Sequence, residues 1–124
     1  MTRFIDTNVF IHSATAHPQS GLASRAILER VEGGETAVTS TLVLCEVAWI
    51  LEAMGKQGEI KPMLEKILSH SSLEVASFTE DDMLVGANNM MQYHVDFNDG
   101  LDVAIMERLG FKQAYSNDKK HLET

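Results

Sequence analysis

The sequence predicts an α/β fold in three layers, with helices on both sides of a central parallel sheet of four or five strands. Two observations carry this. Short apolar runs alternate with longer amphipathic stretches along the whole chain, and glycines or capping residues stand between them. Strands separated by helices then call for right-handed crossovers between parallel neighbours. The 124 residues supply the core of one domain, spanning 1–124, and no linker or internal repeat divides it.

Arg3-Phe4-Ile5 forms the first short strand and ends at Asp6. A helix from about Ser20 to Val31 presents Leu22, Ile27 and Val31 on one face, and Gly33-Gly34 stops it. Thr36 to Thr39 make a second strand. Ser40 or Thr41 then caps a helix to Met54 that buries Leu42, Val43, Val47, Ile50 and Leu51, and Gly55 closes it. The next helix starts near Glu59, tolerates Pro62 in its first turn and presents Met63, Leu64, Ile67 and Leu68. Leu73 to Ala76 give a third strand. Thr79-Glu80-Asp81-Asp82 resembles a capping box, with Asp in the usual Glu position, and opens a helix through about Met91. Asn98 caps a further helix carrying Leu101, Ile105 and Leu109 ahead of Gly110. Lys112 to Tyr115 form a fourth strand, and Asp118 to Leu122 a last turn.

Composition narrows the function classes. With 44% hydrophobic and 23% charged residues the chain is an ordinary globular domain, neither disordered nor fibrous. No apolar run approaches the length of a membrane span, and no leader precedes Asp6. The single cysteine, Cys45, has apolar neighbours and is expected to be a buried thiol, so a reducing, cytoplasmic setting follows. The net charge of −8 excludes nucleic-acid binding through the overall field, so any such binding needs a local cation or a small basic patch.

In parallel sheets, ligands bind beyond the carboxyl ends of the strands. Asp6 directly follows the first strand, Asp118 lies just past the fourth, and Asp99 stands in the first turn of a helix. Glu46 lies near the edge of the apolar stripe of its helix, about one turn in. Asp99 and Asp102 are three apart and share a helix face, a spacing that destabilises a helix unless a cation lies between them. Each acid also has an ordinary structural role. Asp6 suits an Asx turn with Thr7 and Asn8, Asp99 suits a helix N-terminus, Asp118 suits a turn, and Glu46 suits an exposed face.

Four segments together resemble PIN-domain ribonucleases. Phe4-Ile5-Asp6-Thr7-Asn8-Val9 is similar to their opening strand, which delivers an Asp followed by Thr or Ser and Asn. Ser40-Thr41-Leu42-Val43-Leu44-Cys45-Glu46-Val47 resembles their capped helix with one inward Glu, and Val95-Asp96-Phe97-Asn98-Asp99-Gly100-Leu101-Asp102 their loop and Asp-Ala-Leu helix start. Tyr115-Ser116-Asn117-Asp118-Lys119 resembles the last motif, usually Thr-x-Asp-Lys. Order and spacing agree across nearly the whole chain.

The resemblance implies a PIN-like domain with a catalytic metal site on Asp6, Glu46, Asp99 and Asp118, Asp102 adding a ligand, and Asn8, Ser116 and Lys119 meeting the substrate. It implies cleavage of single-stranded or loop RNA, a homodimer, and a VapC-like toxin neutralised by a small antitoxin protein. An all-oxygen ligand set suits Mg²⁺ or Mn²⁺, and such an ion turns an anionic pit into a phosphate-binding one. Three departures stand out: Gly100 replaces the usual Ala, Asp102 is an extra carboxylate, and the chain stops at Thr124, so the sheet is expected to lose an edge strand. Lys119 and Lys120, beside Asp118, are candidates for contact with the RNA backbone, with ordinary solvated charge as the competing reading.

Other residues are expected to be structural. The five histidines lack metal-ligand spacing, with His12 the nearest to the site; Met83, Met90, Met91 and Trp49 are packing residues; Asp96 is a loop residue that could assist the metal. Three other functions compete. One is an RNA-processing PIN nuclease that is not a toxin. Another is a haloacid-dehalogenase-like phosphatase, whose nucleophile motif Asp6-Thr7-Asn8-Val9 resembles although Asn8 stands where a second Asp is needed. The third is a non-catalytic PIN-like binding module, against which the presence of all four acids speaks.

Overall fold

A computed structural model describes residues 2–15, 18, 21–111 and the backbone of 114–115. The elements run β1 (Arg3–Ile5), α1 (Thr7–Thr15), α2 (Gly21–Glu32), β2 (Ala37–Ser40), α3 (Thr41–Ala53), a 3₁₀ turn (Gln57–Glu59), α4 (Ile60–Leu68), β3 (Leu73–Ala76), α5 (Glu80–Tyr93), α6 (Phe97–Arg108) and β4 (Ala114–Tyr115). All strand pairs are parallel, in the order β3-β2-β1-β4. The pair of residues in β4 aligns with Phe4 and Ile5.

β2 is buried along its whole length, as expected of a strand between two parallel neighbours. The Thr39 hydroxyl donates to the Ile5 carbonyl across 2.8 Å, and Ser40 turns the chain straight into α3 by accepting from the Val43 amide. Gly55 closes α3 at φ 74°, a backbone angle that favours glycine. Phe4, Ile5, Val9, Phe10, Val43, Val47, Leu51, Ile67 and Ile105 form the centre of the core.

Expected and observed elements differ in four instructive ways. α1 has no counterpart in the sequence reading: the chain enters a helix directly after Asp6, whose Oδ1 accepts the Thr7 amide across 2.7 Å. Asp96, not Asn98, caps α6, by accepting the Asp99 amide across 2.8 Å. Cys45 is exposed, because the buried positions of α3 (Leu42, Val43, Val47, Leu51) lie on the other side of the helix. Leu22, Met83 and Met91 are exposed too.

For Met83 and Met91 the cause is the packing of α5. The packing face of α5 is Asp82, Gly86 and Asn89, which is polar and small where an apolar stripe was expected. Its partner is α6. Gly86 and Gly100 bring the two helices so close that a Cβ on Gly100 would lie 2.5 Å from the Gly86 carbonyl oxygen. The Asn89 amide donates to the Gly100 carbonyl at 3.0 Å. Arg108 pairs with Asp82 at 2.8 Å and donates to the Ser77 carbonyl, fixing the far end of α6. Burial favours the protonated form of Asp82, but Arg108 and the Thr79 capping box outweigh it and hold the carboxyl below its ordinary range.

Candidate active site

The carboxyl end of β1 feeds α1, and this corner meets α3 and the first turns of α6. A cleft of about 340 Å³ opens there, lined by Asp6, Thr7 and Asn8, by Glu46, Trp49, Ile50 and Ala53 of α3, and by Asn98, Asp99 and Asp102 of α6. The acids collect here for local reasons. β1 ends at Asp6, the Ser40 cap sets the start of α3 and so the angle at which Glu46 projects, and the Asp96 cap does the same for Asp99 and Asp102.

Asp6, Glu46 and Asp102 each offer an oxygen, and these oxygens lie within 4.8 Å of one another. Thr7 donates its hydroxyl to Glu46 Oε1 across 2.7 Å. The Glu46 and Asp102 carboxyls are hydrogen-bonded to each other. Both carboxyls are pushed above their ordinary range. Burial is the main cause in each, followed for Asp102 by the charges of Glu46 and Asp6; for Glu46, the Thr7 and Asp102 hydrogen bonds partly offset the rise. A cation beside Glu46 and Asp102 would favour their ionised forms.

The sequence profile of the PIN-domain family matches residues 3–124. The chain belongs to the PIN-domain family. PIN domains of this kind are nucleases that use divalent metals. No curated protein matches the chain in sequence. Among solved structures, VapC20 of Mycobacterium tuberculosis, a sarcin-ricin loop cleaving toxin, superposes with a TM-score of 0.80 at 18% identity, over 98% of this chain and 92% of that one. VapBC2 from Rickettsia felis, bound to a DNA fragment from its promoter, gives 0.70 at 20% identity, covering 99% and 94%. A toxin–antitoxin complex from Klebsiella pneumoniae gives 0.66 at 12% identity, covering 98% and 90%. At such identities these likenesses are likenesses of fold.

In this PIN domain the structure brings together Asp6, Glu46, Asp99 and Asp102, with Asn8 beside them. Asp102, an addition to the family pattern, belongs to the tight group of three, whereas Asp99 lines the cleft outside that group. Ser116, Asp118, Lys119 and Lys120 lie outside the described residues. His12 and Asp96 do not line the cleft.

A divalent cation fits this donor set. All donors are hard carboxylate oxygens, and Asp102 Oδ1 is buried with no hydrogen-bond partner among the described residues. Two contributors escaped the sequence reading. The sequence places Thr7 in a turn and in the opening motif but does not show its bond to α3, which spans 39 positions. Trp49 was assigned to packing but stands 52% exposed at the cleft. Its place three residues after Glu46 is the signal that was there to read.

Proposed function

We propose that this PIN domain is a metal-dependent endoribonuclease that cuts single-stranded or loop RNA and is the toxin of a toxin–antitoxin pair. One observation carries the reading: a tight trio of carboxyls with one orphaned buried oxygen, at the carboxyl end of the central strand of a PIN fold. Asp6, Glu46 and Asp102 hold Mg²⁺ or Mn²⁺, with Asp99 and Asp118 completing the catalytic set. Asn8, Ser116 and Lys119 meet the substrate.

The ion, when bound, supplies the positive charge that attracts a phosphodiester and acidifies an attacking water. The chain's own residues prepare the rest. Thr7 fixes one Glu46 oxygen, which leaves the other free to face the cluster. Glu46 and Asp102, both raised above their ordinary range, would hold the ion in their ionised forms, so its binding would be coupled to pH. Asp6 takes its orientation from the Thr7 amide at the N-terminal end of α1, where a negative charge is favoured.

The sarcin-ricin loop specificity of the mycobacterial toxin supports a structured RNA loop as substrate, and the toxin–antitoxin complexes support a small inhibitory protein partner. The same reading takes residues 1–124 as one domain with the three-layer, four- or five-stranded architecture, working as a cytoplasmic homodimer; no helix among the described residues is long and apolar enough to cross a membrane. Incubating the purified protein with single-stranded RNA tests the activity. Cleavage is expected with Mg²⁺ or Mn²⁺ and lost in EDTA. Undiminished cleavage in excess EDTA, free of contaminating nuclease, overturns the metal-dependent reading.

A further inference from the structure

We propose that Trp49 is a stacking platform for one unpaired base of the RNA substrate, fixing that nucleotide beside the carboxylates; this rests on the ribonuclease reading above. Trp49 is the chain's one tryptophan, and it sits on α3 between Val47 and Leu51, which are 0% and 1% exposed. A large aromatic side chain left 52% exposed on a helix with a well-buried face forgoes most of the burial open to it. It stands one turn beyond Glu46, so the indole and the carboxylate share one side of the helix and line one cleft. Ile50, next to Trp49, and Ala53, one turn beyond it, extend the apolar end of that cleft.

The charge balance favours such a platform. No Lys or Arg is among the described residues lining the cleft, and the chain as a whole carries −8. Ion pairs with phosphates, which supply most affinity in basic nucleic-acid-binding proteins, are therefore missing from this wall. A cation on the carboxylates engages a phosphate and nothing else. A π-face attracts a base whatever the charge of the protein, and single-stranded RNA is the nucleic acid that offers unstacked bases. Asn8 and Asn98 add amide donors and acceptors to the same cleft, of the kind that meets base edges.

Because Trp49 is unique, its fluorescence reads this site alone. The probe is a single-stranded RNA oligonucleotide of about ten residues, titrated in Ca²⁺ to hold cleavage back, alongside the same oligonucleotide made abasic throughout. Saturable quenching by the first and none by the second is expected. In steady-state cleavage with Mn²⁺, Trp49→Ala should raise KM about 10-fold with kcat little changed, and Trp49→Phe should restore KM to near the parent value. Equal quenching by the abasic strand overturns the proposal, as does an indole shielded from acrylamide before RNA is added, which marks it as covered by a second chain. A parent protein that cleaves RNA with its tryptophan unquenched overturns the stacking role alone. A protein that neither cleaves nor binds the RNA overturns the ribonuclease reading and the stacking role together.

Discussion

Thr7 and Glu46, 39 positions apart, are joined by a 2.7 Å hydrogen bond in which the hydroxyl donates to the carboxylate. Thr7 is only 7% exposed, so little water can replace it as a donor. Thr7→Val keeps the shape and removes the donor, leaving Glu46 with less to favour its ionised form. Its carboxyl then rises further, and the proton competes harder with a cation. Mn²⁺ affinity at pH 7 should fall about 10-fold in Thr7→Val and little in Thr7→Ser, as read by calorimetric titration. The deficit should shrink at higher pH, where the proton is lost in any case. A Thr7→Val protein that matches the parent at pH 7 would remove Thr7 from any role at the site.

The raised carboxyls of Glu46 and Asp102 also set how stability depends on pH. Glu46 and Asp102 are raised in the folded chain above their ordinary values of 4.5 and 3.8, so between those values and the raised ones the folded state binds more protons than the unfolded state. Stability contributed by these protons is complete at low pH and is lost as pH rises through that window. Asp82 acts with the opposite sign: its carboxyl is lowered, and its contribution is lost as pH falls below 3.8. The metal-free protein should therefore melt highest in mild acid, near pH 5, and lower by several degrees at pH 8. A cation binding the deprotonated cluster offsets the loss. At about 100 times its dissociation constant it adds roughly 2.7 kcal/mol. Thermal melts in EDTA and in Mn²⁺ should converge at pH 5 and separate at pH 8; parallel curves would detach the carboxyls from the metal.

Much of this was legible in the sequence, and the failures share a physical origin. Strands β1 to β3 and the helices that follow β2 and β3 announce themselves through apolar periodicity and through caps such as Ser40 and Thr79. The acids of the cleft were legible because each stands at a strand end or in an early turn of a helix. Helix α1 was missed because its opening, Asp6-Thr7-Asn8, has turn chemistry, and only tertiary packing of Val9, Phe10 and Ile11 decides for a helix. Helix α5 was placed correctly but turned the wrong way. Hydropathy assigns Met83 and Met91 to the core, yet α6 approaches over Gly86, which the larger side chains would block. Contacts between residues far apart in sequence, such as Thr7 with Glu46, leave no periodic trace.

Asp102 separates the metal-site reading from a merely polar corner. In the metal-free protein its carboxyl is pushed up to about 10, so folding at pH 8 must protonate a group that is ionised in the unfolded chain, and Asn carries no such cost. Asn at this position keeps a donor for the Glu46 carboxylate. Asp102→Asn should raise the metal-free melting temperature at pH 8, by an amount on the order of 1 kcal/mol or several degrees, and should remove most of the Mn²⁺-induced rise. Asp99→Asn, outside the tight trio, should change both quantities less, although it too should lower cleavage. A larger loss of Mn²⁺ response in Asp99→Asn than in Asp102→Asn would mean that the ion sits toward the α6 N-terminus instead.

Gly100 lies between Asp99 and Asp102, at the position where the family pattern has Ala, and the reason is steric. In an isolated helix, Gly100→Ala would be a gain of about 1 kcal/mol. Here the added Cβ would meet the Gly86 carbonyl oxygen at 2.5 Å and the Met90 amide nitrogen at 3.1 Å, both backbone atoms of α5 that cannot swing aside. The two helices must separate, breaking the Asn89 bond to the Gly100 carbonyl. The net effect should be a destabilisation of about 1–3 kcal/mol, lowering the melting temperature by several degrees. Because α6 also carries Asp102, Mn²⁺ affinity should fall together with stability, which a defect confined to packing elsewhere would not produce. Gly58→Ala is the matched control, since Gly58 lies in the 3₁₀ turn with no atom within 4 Å of a Cβ and no positive φ; it should melt with the parent. A Gly100→Ala protein that melts with or above the parent would show that α5 and α6 can move apart without cost, and the family's alanine would then be freely accommodated.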